Sequence, residues 1–261
     1  MDVTARARRD AVVTLGVVPD FELRYDDRLV AVPVTSRRLL GLLALSGPPV
    51  PRTLVSATLW PEADEHHAAA SLRSALWRIP VVQGHALVSV RGCGLSLGEH
   101  VVVDLHGLLR DTQAILATRT PPARLLGAAQ ALRSLGHDLL TGWYDDWVVD
   151  ERQRFRQLRL YSLDVIGLAL LEQRRTGEAL QLALALVEMD PLRESGHRLL
   201  LEVHLQEGNV AEAVRQYERY AHLLERELRV RPSDLMTAQL RRCRASSARP
   251  ARTEVAAVTA V

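Results

Sequence analysis

Two kinds of hydrophobic spacing alternate along this chain, and they divide it. Over residues 12–32 the apolar positions come in short bursts, 12–18, 21–25 and 29–32, broken by Pro19-Asp20 and Asp26-Asp27. Bursts of that length between turn residues predict strands. The spacing then becomes helical. Leu39, Leu40, Leu42 and Leu43 follow Thr35, placed to cap a helix that Gly47-Pro48-Pro49 ends. A short helix is predicted over about 52–60, with Val55 and Leu59 on one face, and a third over about 67–79, limited by Pro80. Strands at 87–90 and 95–97 flank Arg91-Gly92-Cys93-Gly94, and 101–103 adds another.

Sheet, three helices and a glycine-tipped hairpin is the order of a winged helix-turn-helix. In that fold the third helix enters the DNA major groove and the hairpin reaches the flanking minor groove or backbone. The third helix has a matching wheel. Ala69, Leu72, Leu76 and Ile79 form an apolar stripe; Ala70, Arg73, Ser74, Trp77 and Arg78 take the rest. Arg pairs bidentately with guanine or clamps phosphate, Ser bonds either, and Trp packs on sugar or thymine methyl.

The C-terminal half carries a repeat. Glu178-Ala179-Leu180 recurs as Glu212-Ala213-Val214, an offset of 34 residues. That is the period of tetratricopeptide helix pairs, which stack to grip partners. Ala179, Ala183, Leu186 and Pro191 fit the second helix of one copy; Ala213, Tyr217 and Tyr220 fit the next. Gly167 stands where the first helix of a unit approaches its neighbour closely. Asp190-Pro191 reads as an N-cap and first helical residue, and Asn209 with Glu212 as a capping box. No proline follows Tyr220 at the expected distance, so the last helix runs through Leu228 until Pro232 closes it.

Composition narrows the chemistry. All 33 basic residues are Arg; the chain has no Lys. A P-loop, a Schiff-base lysine and a kinase-type lysine are therefore excluded. Net charge is +2, but acids are absent from 28–61 and from 66–98. Those windows hold Arg28, Arg37, Arg38, Arg52, Arg73, Arg78 and Arg91, a distribution that presents a basic face to phosphates. Cys93 and Cys243 are far apart, and no CxxC or HExxH occurs, so no disulfide framework, metal site or cofactor is expected and a reduced cytoplasm is the default. No apolar run approaches the ~18 residues needed to span a bilayer. Arg6, Arg8 and Arg9 before the first apolar burst mimic a signal peptide, but Asp10 interrupts and the run is short.

Both halves together resemble the actinobacterial antibiotic regulatory proteins, which join an OmpR-like winged helix to a bacterial transcriptional activator domain. The resemblance rests on Leu59-Trp60-Pro61, on the run from Ala70 to Ile79, and on Leu139-Leu140-Thr141-Gly142-Trp143-Tyr144-Asp145-Asp146-Trp147. It continues through Glu151-Arg152-Gln153-Arg154-Phe155-Arg156, Asp190-Pro191-Leu192-Arg193-Glu194-Ser195, and Gln216-Tyr217-Glu218-Arg219-Tyr220. Pro80 and Pro51 depart from the relatives, which continue the recognition helix with a basic residue and cap the second helix with a polar one. The resemblance implies binding to double-stranded promoter DNA, with side-by-side protomers on direct repeats, and recruitment of RNA polymerase subunits.

The expected architecture is mainly α: a flexible N-terminus over 1–11, a winged-helix domain with a small sheet over 12–104, an all-α tetratricopeptide-like activator domain over 105–244, and a disordered tail over 245–261. Arg73, Ser74, Trp77 and Arg78 are expected on the major groove, Arg91 on the flanking backbone or minor groove, and Arg37, Arg38 and Arg52 on phosphates. A helical-repeat adaptor that does not bind DNA is the alternative. A hydrolase built on Asp145 and Asp146 requires the two carboxylates to converge, whereas neighbours on a helix point about 100° apart. Trp143 and Trp147 read as aromatic packing where a long helix begins. Arg152, Arg154, Arg156 and Arg159 on that helix read equally as a solvated face, an inter-domain contact or a DNA-backbone contact.

Overall fold

The computed structural model describes residues 13–247, the last five by backbone alone. The expected flexible N-terminus lies outside the described residues, as does the expected tail beyond residue 247. Packing groups the chain into two compact units. One takes the chain as far as Thr118 and returns for Ser134–Arg159; the other takes Arg119–Arg133 and the chain from Leu160 onward. These groups cross the division expected after residue 104. Leu105, Leu139, Leu140, Val148 and Phe155 all bury themselves in the same core as Val13, Leu15 and Leu23.

The first unit runs β1 (Val13–Gly16), β2 (Glu22–Tyr25), β3 (Arg28–Leu29), α1 (Val34–Ser46), β4 (Val50–Pro51), α2 (Arg52–Leu59) and α3 (Glu65–Trp77). It continues through β5 (Val81–Val82), β6 (His85–Ala86), β7 (Val88–Arg91), β8 (Gly94–Leu97), β9 (Val101–Val103) and α4 (Asp104–Thr118). One sheet has the order β3-β2-β1-β9, with β1 antiparallel to β2 and parallel to β9. Val13, Leu15 and Val17 alternate inward from β1 while Thr14 faces water, the period-2 pattern of a half-buried strand. Asp104 closes the end of β1: its carboxylate accepts the Val17 and Val18 N–H groups at 3.0 and 3.1 Å. Burial pushes that carboxyl above its usual range, against the pull of those donors.

Helix starts follow the backbone more than the expected caps. Thr35 lies inside α1, whose N-cap is Pro33 (φ −60°), a conformation the pyrrolidine ring fixes in advance. Gly47, at φ +70°, ends the helix in a region where a Cβ is strained. α3 begins two residues before the expected start because the Asp64 side chain accepts the His67 N–H at 2.8 Å. That same bond is the main cause holding the Asp64 carboxyl below its usual range.

The second unit holds a 3-10 turn at Ala123–Leu125 and most of α5 (Ala128–Leu135). It also takes the later half of α6 (Asp146–Glu172), then α7 (Thr176–Met189), α8 (Glu194–Gln206), α9 (Val210–Leu228) and α10 (Asp234–Ser247). The repeat is a real packing unit. Ala179, Leu182, Ala183 and Leu186 are buried along α7; Ala213, Gln216, Tyr220 and Leu224 are buried along α9. α9 runs to Leu228 as its spacing predicts, and Arg229 stops it in the left-handed conformation at φ 57°. The shared Glu has different partners in the two copies. Glu178 binds Arg175 and the N–H of Ala128 at the start of α5, whereas Glu212 binds Arg215.

Two cap expectations are corrected. Asp190-Pro191 lies in the turn after α7, and α8 starts only at Glu194. Asn209 is the N-cap of α9, but its side chain makes no cap bond and Glu212 is engaged by Arg215 instead. The turn has a different use: its backbone serves as a hub. Pro191 O meets His197 Nε2 at 2.8 Å, and Leu192 O accepts the Tyr220 hydroxyl at 3.0 Å. A carbonyl only accepts, so Nε2 carries the proton and Nδ1 accepts from Gln216 at 2.7 Å. Burial pushes the His197 imidazole down, in keeping with this neutral tautomer. It also pushes the Tyr220 hydroxyl up to about 12.

Gly167 behaves as its position predicts. A Cβ built there would lie 2.3 Å from Leu199 Cδ2, and Leu199 is itself buried. Gly167→Val is therefore expected to destabilise the chain by about 1–3 kcal/mol through overpacking. Urea titration followed by circular dichroism checks it, and an unchanged midpoint would rule out a tight α6–α8 contact.

Candidate nucleic-acid interface

α2 and α3, joined across Trp60–Asp64, form the helix-turn-helix. Their apolar faces close on α1 through Leu39, Leu43, Val55, Leu59, Leu72 and Ala75. The fully buried positions on α3 are Ala68, Leu72 and Ala75, so the inward face is rotated from the expected stripe. Ala69, Leu76 and Ile79 flank it, half-buried. The rotation leaves the opposite face clear. Arg73, Ser74, Trp77 and Arg78 are all exposed, Trp77 by 87%.

The helix ends at Trp77, with Arg78 as its C-cap and Ile79 beyond it. Pro80 disfavours helical geometry at the residue before it. The Ile79 N–H turns to Leu76 O at 3.2 Å, and the Ala75 carbonyl accepts instead from the Ser36 hydroxyl at 2.9 Å. Ser36 is wholly buried on α1. The early stop is thus met by a side-chain hydroxyl from the neighbouring helix, which pins the end of α3 to α1.

The wing is the β7–β8 hairpin, extended by β4. Arg91 pairs with Gly94, leaving Gly92 and Cys93 as a two-residue turn, with Gly92 at φ +59°. Cys93 is free and exposed there. Pro51 supplies no side-chain cap to α2. The Arg52 N–H bonds instead to the Cys93 carbonyl at 3.0 Å, so the wing turn satisfies the helix start. Arg52 is half-buried at that junction.

The remaining arginines differ in availability. Arg91 is exposed and ion-paired with Glu99, also exposed, a pair of the kind that water and salt readily exchange. Arg37 is exposed, with its Nε donated to Val32 O at 2.7 Å. Arg38 is half-buried and ion-paired with Asp145. That pairing takes Arg38 away from the exposed face where phosphate contact was expected. It also leaves Asp145 engaged and Asp146 exposed at the start of α6, so the two carboxylates do not converge.

Two of the long-helix arginines are structural within the first unit. Arg152 donates to the carbonyls of Leu139, Leu140 and Trp143 at 2.7, 2.5 and 2.8 Å. Arg159, buried, donates to Leu135 O at 3.3 Å and pairs with Asp138 at 3.4 Å. The loop they hold places Trp143 against Phe21 and Trp147, at centroid distances of 6.1 Å each. A Cβ at Gly41 would meet Trp143 at 3.1 Å, so the glycine lets α1 approach the indole closely. The aromatic packing expected at the head of the long helix is what forms.

An exposed Arg-Ser-Trp-Arg face on the second helix of a helix-turn-helix, a glycine-turned wing and a helical-repeat unit define a winged-helix regulator of modular build. A family model described as the bacterial transcriptional activator domain matches residues 103–244, and the chain belongs to that family. With the winged helix ahead of it, this is the layout of the actinobacterial antibiotic regulatory proteins. Among solved structures, Mycobacterium tuberculosis EmbR in complex with a low affinity phosphopeptide is similar in fold. Its TM-score is 0.74 at 17% identity, over 91% of this chain and 66% of that chain. This chain therefore spans just under two thirds of that structure's length. Comparison with curated proteins finds no match. Among the described residues no helix is long and apolar enough to cross a membrane.

Proposed function

We propose that this transcriptional activator binds promoter DNA in a sequence-specific manner and recruits RNA polymerase through its helical repeats. The observation that carries the reading is the exposed face of α3. Arg73, Ser74, Trp77 and Arg78 stand together on the helix that a helix-turn-helix inserts in the major groove, and no acid lies between His66 and Gly98. In this reading Arg73 and Arg78 pair with base edges or phosphates, Ser74 bonds either, and Trp77 packs on sugar or a thymine methyl. Arg91 exchanges Glu99 for a flanking phosphate. Arg37 and Arg52 hold the backbone, while Arg38 acts from behind by fixing α1 to Asp145. Residues 12–104 form the DNA-binding domain and 105–244 the activator domain, which contacts polymerase subunits or a neighbouring protomer on a direct repeat.

Footprinting of the full chain on the promoters adjacent to its own gene is the direct test. Protection of direct repeats is expected, with log affinity falling against log salt by about 0.9 per phosphate neutralised. Equal affinity for promoter and random duplex would replace this reading with that of a protein-binding adaptor.

A further inference from the structure

The two ends of α3 are held by different means. At its start the cap is local, from Asp64 three residues before His67. At its end the bond comes from another helix, where the Ser36 hydroxyl on α1 donates to Ala75 O at 2.9 Å. Both residues are closed to water, Ser36 at 0% exposure and Ala75 at 1%.

The way α3 stops creates the need for that bond. In a continuing helix Ala75 O accepts from the Ile79 N–H, four residues on. Here that N–H goes to Leu76 O and the Arg78 N–H to Ser74 O, each at 3.2 Å. Pro80 disfavours the helical geometry at Ile79 that would restore the usual pairing. Ala75 O takes its donor from Ser36 instead, and at a buried position water is a poor substitute for that hydroxyl.

The helix that carries the hydroxyl is itself anchored. Arg37 Nε donates to Val32 O at 2.7 Å, and Arg38 pairs with Asp145. Farther along α1, Gly41 lies against the Trp143 ring, and the Trp143 carbonyl accepts from Arg152 at 2.8 Å. Ser36 thus ties the last turn of α3 to a helix that is held on its other contacts.

That last turn carries Trp77 and Arg78, two and three residues beyond Ala75, both exposed. Arg73 and Ser74 lie between Leu72 and Ala75, which anchor α3 in the core. The consequence for binding is one of direction, because a binding group works only within roughly 0.5 Å and 10–20° of its productive geometry.

Given that α3 reads DNA as proposed above, we infer that Ser36 is a positioning residue for base reading, which sets the direction in which Trp77 and Arg78 leave the helix. Without its hydroxyl, Ala75 O is buried with its donor gone. The last turn relieves this by opening toward water or by rewinding against Pro80. Either shift moves Trp77 and Arg78 and leaves Arg73, Ser74 and the wing in place. The loss falls on sequence discrimination, since every exposed arginine that attracts phosphate is still present.

Gel-shift titrations of the full chain test this on two probes: a duplex carrying the repeat protected in footprinting beside its own gene, and a random duplex of equal length. Ser36→Ala is expected to weaken the repeat duplex about tenfold and to leave the random duplex and the salt slope unchanged. Ser36→Thr keeps a hydroxyl and should restore the repeat duplex. In the Arg73→Ala background the tenfold loss should persist, whereas with Trp77 and Arg78 both replaced by alanine it should shrink to about twofold or less. Ser36→Cys, nearly the same size and only a weak donor, carries the same expectation as the alanine variant should that one misfold by circular dichroism. Unchanged affinity for the repeat duplex would overturn the inference. So would equal losses on both duplexes, or a tenfold loss that persists without Trp77 and Arg78, either of which marks Ser36 as supporting the fold alone. Equal affinity of the wild type for the two duplexes would remove the DNA-binding reading, and this role of Ser36 with it.

Discussion

Replacing Arg73 and Arg78 together by alanine is expected to weaken promoter binding about tenfold to a hundredfold or more. Each bidentate arginine contributes roughly 1–3 kcal/mol of discrimination, and about 1.4 kcal/mol is a factor of ten. The fold should not change, since both side chains are exposed and the α3 core is Ala68, Leu72 and Ala75. The pattern of loss distinguishes the contacts. Loss of a base contact relaxes sequence preference at one position. Loss of a phosphate contact lowers affinity on every duplex and reduces the salt slope by about one. Gel-shift titrations showing unchanged affinity, with unchanged circular dichroism, would sink the assignment of α3 as the reading helix.

Arg152→Ala is expected to destabilise the first unit by about 2–4 kcal/mol, because one guanidinium serves three backbone carbonyls. Two of those carbonyls belong to Leu139 and Leu140, whose residues are wholly buried, so water cannot readily replace the lost donor. Leu140 also holds a positive φ of 42°, a conformation that persists in a leucine only when its surroundings enforce it. Its N–H bonds to Val17 O at 2.9 Å, and the next N–H, on Thr141, bonds to Pro19 O at 2.8 Å. Without Arg152 the loop is held from one side only, and Trp143 loses its fixed place against Gly41. Arg152→Lys should rescue little, since an ammonium does not reproduce the planar fork that reaches three acceptors. The reading is urea unfolding monitored by tryptophan fluorescence; a midpoint equal to wild type would show that the clamp adds nothing.

Local chemistry made most elements legible. Turn residues at Pro19-Asp20, Gly47-Pro48-Pro49 and Gly92 act over two or three positions, and apolar period acts over one or two turns. Both are written in the chain itself, so β1–β3, β7–β9, the three N-terminal helices, the wing and the 34-residue repeat are legible there, whereas the two-residue strands β4, β5 and β6 are too short to leave a period. Gly167 was readable for the same reason: a small residue at a fixed repeat position has one geometric use. The exposure of Trp77 followed from its place on the helical wheel.

Partner choice across the chain was not legible. Arg38 and Asp145 are 107 residues apart, and nothing near either one names the other. Arg152 looked like any arginine on a polar helix face until the Leu139–Trp143 loop was seen to turn its carbonyls toward it. The caps at Thr35 and Asp190, and the capping box of Asn209 with Glu212, did not form, because a capping side chain competes with prolines, turns and nearby charges that only the folded backbone brings into range. The sequence by itself determined the modules and their order, and it marked α3 as the face to watch. Tertiary structure alone decided which arginines stay free for a ligand and which are consumed by the fold, since a long flexible cation goes to whichever acceptors packing places within its reach.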